Sequence, residues 1–509
     1  MKSLNNKKDL VKAGSVNAIT GIVFFIVNTI TALILNPLLV NYFGSYYFGI
    51  WKSINQYIGF ASVTNGQGIQ ALKWVIAHKE KSEDYAEKKR YIASAFIIWL
   101  IFVPLLCLLI GLLIYFIPEI IKGVHPSDQT LLYMIVSLLG FNLIITPLLG
   151  ISEAILVGTN NGYAVNNIKT FWLILSSIII YYIVILQYGL FELALSTVLI
   201  TIFRGIHYLY ITHKYIFWFG FEKPKNEEVK SLFKFSSWKL GWAFVARFLM
   251  SSEIILLSYL VSAKSVSEYI FSGYLSATGV LLSAIVTSAF NPGIGKLVGS
   301  KNYETSKIYI MNLREFVLAF GVLVGTITLI LNKSFVLLWA NETLYMGDFS
   351  NLLIVLIMIQ LIMIRNEAFL IDLSLDIKKK VLVGSLSVIL SFIFAIIGYI
   401  YSNNIHSIFI GLLIGRMLLM ISFPIFTNIM INTKEKYISF KVLLGSIFLL
   451  MIAFSLGKIQ VLTSWYELFM YGSLEIVLLL IIVYYLLLSN NNKLIIRSKI
   501  NNIRGGRIS

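Results

Sequence analysis

Apolar runs of bilayer length follow one another along the whole chain. A helix rises 1.5 Å per residue, so about 20 apolar residues cross the hydrocarbon of a membrane. About fourteen such runs lie near 15–40, 46–77, 91–117, 129–157, 165–187, 190–212, 233–262, 269–292, 307–332, 348–372, 381–401, 406–426, 440–457 and 466–488. Their length, and the lack of ten-residue segments alternating apolar with polar, predict helices rather than a barrel. The expected fold class is an all-α polytopic membrane protein.

One stretch breaks the apolar rule. Residues 231–262 are long enough to span a bilayer, yet carry Lys239, Arg247, Ser251, Ser252 and Glu253. A charge near mid-bilayer costs at least ~2.5–3.5 kcal/mol, so such a helix turns one side to water or protein. Polarity concentrates in four spans. The first holds Asn17, Asn28 and Asn36; the second holds Lys52, Asn55, Gln56, Asn65, Gln67 and Gln70. The seventh is the stretch just described, and the eighth holds Ser272, Ser276, Ser283, Thr287, Ser288 and Asn291. The third and most of the fourteenth are apolar all round. Polar groups in hydrocarbon need partners or water, so spans 1, 2, 7 and 8 are expected around a wet cleft. For any single Ser, Thr or Asn, helix-to-helix hydrogen bonding is an equal alternative. Spans 1 and 2 resemble 7 and 8 in pattern, and internal repeats in two halves are the usual plan of secondary transporters.

Composition agrees: 58% of residues are hydrophobic and 13% charged. The first apolar run reads as a span, without a signal-peptide cleavage site. The net charge of +17 does not point to nucleic acid, because the cations sit in short loops. With the N-terminus inside, 31 of the 41 Lys and Arg fall on the cytoplasmic side and only Lys122, Lys264, Lys333 and Lys458 outside. The positive-inside rule then sets both termini in the cytoplasm, as in a bacterial inner-membrane protein. Arg314 is counted among the inner loop cations, and residues 333–347 are expected as the longest outer segment. The single cysteine, Cys107, excludes an internal disulfide. The basic tail, 489–509, is expected at the anionic inner leaflet.

Six cations fall within spans: Lys52, Lys73, Arg204, Arg247, Arg365 and Arg416. Arg247 at mid-span and Lys52 near the outer end of its span offer positive charge to a cleft, as an anionic head group needs. The competing reading for both is an ion pair with a neighbouring carboxylate such as Glu253 or Glu367. Arg365 and Arg416 are further cavity candidates, and Lys73 is close enough to the surface to snorkel. Arg204 and Glu153 lie at similar depth and are expected as a buried pair. Glycan contacts are expected from Asn28, Asn55, Gln56, Asn65, Ser276 and Asn291. Glu253, Glu367 and Glu153 are the carboxylates available for coupling to protons or Na⁺. No two histidines stand at metal-ligand spacing, so no metal is expected. A Walker A motif, a G-x-S-x-G elbow and a D-x-D pair are all absent from the sequence, which argues against an ATPase or a glycosyltransferase.

Certain short motifs resemble those of the multidrug/oligosaccharidyl-lipid/polysaccharide (MOP) exporter superfamily, in its polysaccharide-transport branch of O-antigen and repeat-unit flippases. They are Lys12-Ala13-Gly14-Ser15 and the outer turn running from Asn41-Tyr42-Phe43-Gly44 through Ser45-Tyr46-Tyr47-Phe48-Gly49-Ile50-Trp51. Phe290-Asn291-Pro292, with Gly293 and Lys296, leads into Lys301-Asn302-Tyr303-Glu304 much as the family's connection after span 8 does. The resemblance covers essentially the whole chain. It implies two six-helix bundles (1–212 and 233–426) about a V-shaped central cavity. A cytoplasmic linker at 213–232 would join them, and spans 13 and 14 (438–488) would be appended as in the lipid II flippase branch. That branch's cavity arginines imply a pyrophosphate-binding role for Arg247 and Lys52. The implied activity is flipping of undecaprenyl-pyrophosphate-linked oligosaccharide for lipopolysaccharide or another surface polysaccharide. The partners are then that glycan lipid and membrane lipid, with a polymerase or chain-length regulator as candidate protein partners. Nothing in the sequence requires more than a monomer, and no cofactor is expected. A drug/cation antiporter of the same fold is the first alternative and a membrane polymerase or glycosyltransferase the second. The antiporter calls for an acidic cavity, and the enzyme for a large outer loop.

Overall fold

The computed structural model describes residues 7–64, 68–80, 82–373, 377–433, 437–490, 492–494 and 497–498, with side chains from Gly14 onward except at a few helical positions. Among these the chain forms fifteen α-helices and no strand. They are α1 (Lys7–Ala61), α2 (Gly68–His78), α3 (Tyr85–Ile120), α4 (Gln129–Gly158), α5 (Gly162–Ile185), α6 (Leu190–Tyr215), α7 (Asn226–Leu260), α8 (Ala263–Ser272), α9 (Tyr274–Gly299), α10 (Tyr303–Trp339), α11 (Asp348–Asp372), α12 (Lys378–Ser402), α13 (Ile405–Met430), α14 (Phe440–Ile459) and α15 (Trp465–Leu486). Helices dominate because hydrocarbon offers no partner to a backbone amide, and a helix satisfies its own. Among the described residues twelve stretches are long and apolar enough to cross a membrane, or thirteen if the bent pair α8–α9 is one span. The first, Gly14–Thr64, has 51 residues. It breaks at Gly44 and accounts for two of the fourteen expected spans.

Gly44 has φ 77° and ψ 165°, a backbone conformation open essentially to glycine alone. Its effect is visible sixteen residues apart. Lys52 Nζ donates to Asn36 Oδ1 at 2.9 Å, whereas an unbroken helix would hold those residues about 24 Å apart. The two arms of α1 therefore fold back on each other. Tyr46 and Tyr47 pin the turn, donating to the Asp128 carboxylate at 3.0 and 3.2 Å, while the His125 amide donates to the Tyr46 hydroxyl.

The chain divides into two compact units, Met1–Val266 and Ser267–Ser509. In the first, α7 packs against α1, α2 and α3, and α4 against α2 and α6. Small residues set those distances. A Cβ at Gly158 would lie 2.9 Å from Ile76 Cβ and from the Lys73 carbonyl, and one at Gly205 would lie 2.6 Å from Leu149 Cβ. Leu72, Ile76, Ile92, Ile98, Ile155 and Leu156 form the buried core there.

In the second unit α10 is surrounded by α9, α11, α14 and α15, and α12 lies along α13. Gly411 and Gly415 bring the α13 backbone against that of α12, where Cβ atoms would meet Ala395 N at 2.4 Å and Ser391 Cα at 2.3 Å. Asn332 of α10 donates to the Ser272 carbonyl and to Asn351 Oδ1, at 2.7 and 2.8 Å. Such buried amide pairs hold helices together where lipid gives no hydrophobic drive.

Several boundaries differ from the sequence reading. The second span is interrupted by a single 3₁₀ turn at Ser62–Thr64 before α2. The eighth is bent by 57° between α8 and α9. The expected outer loop at 333–347 shrinks because α10 continues to Trp339. Hydropathy loses these positions because it averages over side chains, whereas the breaks at Gly44 and at Gly273 lie in the backbone.

Gly415→Ala should force α12 and α13 apart, because the obstructing atoms are backbone. Overpacking of this kind costs about 1–3 kcal/mol. A lowered midpoint in detergent thermal unfolding checks it, and an unchanged midpoint would contradict the close approach.

Candidate functional site

The second arm of α1 places Lys52, Gln56 and Gly59 at i, i+4 and i+7, one stripe of a helix. On α7, Arg247 and Ser251 stand at i and i+4. The stripes meet inside the first unit. Arg247 Nη2 donates to Gln56 Oε1 at 3.1 Å, and Ser251 Oγ donates to the same oxygen at 2.9 Å. The Nη2 end of the guanidinium reaches into the space Gly59 leaves open, where a Cβ would sit 1.8 Å from Nη2 and 2.7 Å from Cζ. Phe60 closes one side of this contact with Phe244 and Phe248 at 4.8 and 4.1 Å between ring centroids. Toward the next turns, Tyr57 and Ser258 hydroxyls share a hydrogen bond of 2.7 Å.

Both cations are thus held by neutral groups. Lys52 bonds the Asn36 amide and stands 5.0 Å from the centre of the Phe48 ring. Arg247 bonds the Gln56 amide, and its buried Nε has no partner among the described residues. No described carboxylate pairs with either, so the ion pair considered for Arg247 does not form. Glu253 is buried on α7, 2% exposed. Six residues along a helix is about 240° around it, so Glu253 leaves the side that Arg247 uses. A charge held this way keeps donors for an incoming anion while its fixed neighbours supply only dipoles.

The other expected residues are more dispersed. Asn55 Nδ2 returns to the Trp51 carbonyl of its own helix at 2.7 Å. Asn28 is exposed on the first arm of α1. Asn65 lies outside the described residues, as do the side chains of Asn291 and Lys239. In the second unit Ser276 is 3% exposed, and its hydroxyl has no partner among the described residues. Arg365 is half-buried and Arg416 fully buried.

Two expectations need correction. Glu153 pairs with Lys169, Nζ to Oε1 at 2.6 Å, and not with Arg204. Lys169 stands on α5, and the packing of α4 on α5 brings the two together. Arg314, counted as a loop cation, is buried within α10 and clamps Glu367 through two bonds, Nε–Oε1 at 2.9 Å and Nη2–Oε2 at 2.7 Å. Asn366 also donates to Glu367, and Arg314 reaches Asn428 and lies 4.8 Å from the Tyr437 ring centre. Its position near the start of an apolar run hid it, since the helix begins eleven residues earlier. Glu367 is thereby fully occupied by a structural ion pair.

Among the described residues no cluster of His, Cys, Asp and Glu is arranged to hold a metal.

The fold is that of known membrane transporters. The lipid II flippase MurJ, in an inward closed conformation, matches with a TM-score of 0.68 at 14% identity over 91% of this chain and 98% of that one. A multidrug resistance MATE family transporter of the MOP superfamily, inward-facing, matches with a TM-score of 0.61 at 13% identity over 80% of this chain and 94% of the other. A mutant of the Vibrio cholerae MATE transporter VcmN gives 0.59 at 14% identity over 84% and 98%. No protein-family model and no curated protein matches the chain by sequence.

Glu367→Ala would leave Arg314 buried and uncompensated, which costs about 3–5 kcal/mol. Glu367→Gln keeps one acceptor and should cost less. Thermal unfolding of the two variants in detergent orders them, and equal midpoints would remove the structural role assigned to the pair.

Proposed function

We propose that the protein is a flippase carrying an undecaprenyl-pyrophosphate-linked oligosaccharide, an O-antigen or other surface-polysaccharide repeat unit, from the inner to the outer leaflet of the bacterial cytoplasmic membrane by alternating access. The observation that carries this reading is the pair of intramembrane cations, Lys52 and Arg247, held by amides instead of carboxylates. Diphosphate is the membrane-lipid group whose charge two such donors match. One solved protein of this fold is named as a lipid II flippase, which makes a lipid-linked cargo the first choice. Gln56, Asn55 and Ser276 supply amide and hydroxyl groups for sugar hydroxyls, with Asn28, Asn65 and Asn291 as further candidates.

An inside-negative potential moves an anion outward with about 2.3 kcal/mol per charge per 100 mV. Glu253 is buried within α7 and is the carboxylate proposed for proton or Na⁺ coupling, whereas Glu367 and Glu153 each hold a cation in an ion pair. Cytoplasmic termini follow from the loop charges. The MATE likeness keeps a cation-coupled drug antiporter as the second reading. A cationic drug would meet repulsion at Lys52 and Arg247, which disfavours it.

The stability of Gly59→Ala should be unchanged or slightly improved, because the atom it displaces is the end of a flexible side chain and alanine favours helix by up to about 1 kcal/mol. Binding of undecaprenyl pyrophosphate should nevertheless fall, as in Arg247→Ala, by roughly ten- to hundredfold, the equivalent of one charge-assisted hydrogen bond. Titration of the lipid by intrinsic fluorescence, beside a melting curve, separates the two effects. In cells, Lys52→Ala and Arg247→Ala should reduce surface glycan and leave inward-facing lipid-linked oligosaccharide to accumulate. Unchanged glycan with lost drug resistance would establish the antiporter instead.

A further inference from the structure

A cationic pocket lies in the first unit, lined by neither Lys52 nor Arg247. It has a volume of about 270 Å³ and is enclosed by the Ser62 turn, α2, α4 and α6. Lys73, Arg204 and Tyr208 line it, together with Glu153, Gln70 and Thr146. Packing accounts for its shape. Gly205 holds α6 tightly against Leu149, and Pro147 interrupts the hydrogen-bond ladder of α4 at the pocket wall.

The chemistry of the lining is unbalanced. Glu153 is neutralised by Lys169 at 2.6 Å. Arg204 and Lys73 form no hydrogen bond or ion pair with a described residue. Tyr208 is 2% exposed, and its hydroxyl has no partner among the described residues. A buried hydroxyl left unpaired costs about 1–3 kcal/mol, so it calls for an acceptor. Two cations and an O–H facing one small space specify an anion with several acceptor oxygens. They exclude a bound Na⁺, because Glu153 already has its cation.

Beside the pocket, Leu148 of α4 and Leu199, Phe203 and Ile206 of α6 are exposed apolar side chains. They offer hydrocarbon contact next to the charged space. Lys73 and Arg204 sit toward the end of the unit that loop charge assigns to the cytoplasm, where anionic lipids concentrate and basic pockets between helices take their head groups.

We propose that this pocket binds the phosphate of an anionic membrane lipid, with Arg204 and Lys73 meeting the phosphate oxygens and the Tyr208 hydroxyl donating to one of them. The site does not depend on the flippase reading. Inorganic phosphate carries the same chemistry, and the test distinguishes the two sources. The full chain is released from phosphatidylglycerol or phosphatidylcholine nanodiscs, and retained lipid is counted by native mass spectrometry. Wild type should keep phosphatidylglycerol in preference to phosphatidylcholine. Arg204→Gln should lower that occupancy roughly tenfold and Tyr208→Phe roughly two- to tenfold, as expected for one charged and one neutral hydrogen bond. Melting curves in inorganic phosphate form the second arm. Phosphate-dependent stabilisation that is lost in Arg204→Gln, with lipid retention unaffected, would overturn the lipid and assign the site to free phosphate. Tyr208→Phe keeps the ring in the core, so it tests the site even where the arginine variant folds poorly. If both variants retain phosphatidylglycerol like wild type and respond alike to phosphate, there is no anion site here.

Discussion

An arginine inside a membrane protein must be solvated by something, and for Arg247 that something is an amide and a glycine face. The guanidinium reaches into the space Gly59 leaves open and bonds Gln56, so its charge is oriented but not cancelled. A carboxylate partner would have been stronger electrostatically and would have closed the site to an anion. The same chain shows that alternative in Arg314, whose two bonds to Glu367 and contact with Asn428 leave it fully satisfied. One arginine keeps its charge unpaired by any described carboxylate, and the other is committed to holding α10, α11 and α13 in register. The difference lies in the partner, not in burial alone.

Getting an amide and a cation into contact depends on backbone geometry elsewhere. The left-handed φ of Gly44 lets α1 fold back so that Asn36 meets Lys52, and the tyrosines bonded to Asp128 fix that turn. Gln56 and Gly59 then follow on the Lys52 stripe at the spacing that α7 offers with Arg247 and Ser251. Tyr57 bonding Ser258 sets the vertical register of the two helices. A shift of one residue would rotate each side chain by about 100° and take the pair apart.

The pocket lined by Lys73, Arg204 and Tyr208 in the first unit contrasts with the Asn332 amide donors of the second. Around Lys73, Arg204 and Tyr208 the donors outnumber the acceptors. Asn332 Nδ2 there donates to the Ser272 carbonyl and to Asn351 Oδ1 at 2.7 and 2.8 Å. The chain shares a fold with both a lipid flippase and multidrug resistance transporters, and because fold alone does not fix cargo, such local balances carry the functional reading.

Composition and periodicity were sufficient for the all-helical membrane architecture and for most of the spans, and they marked Lys52 and Arg247 as charges inside spans. Those features are local: a run of apolar side chains and a charge within it are visible without knowing what lies opposite. Whether a cation is paired depends on residues far along the chain, and here tertiary structure decided. Glu153 turned to Lys169 and not to Arg204, Glu367 to Arg314 and not to a cavity, and Arg247 to an amide 191 positions away. Glycine contacts such as that at Gly59 were equally silent, because a missing side chain leaves no mark in a hydropathy pattern until its neighbour is known. The membrane imposes the first kind of information residue by residue, while packing across the bundle supplies the second.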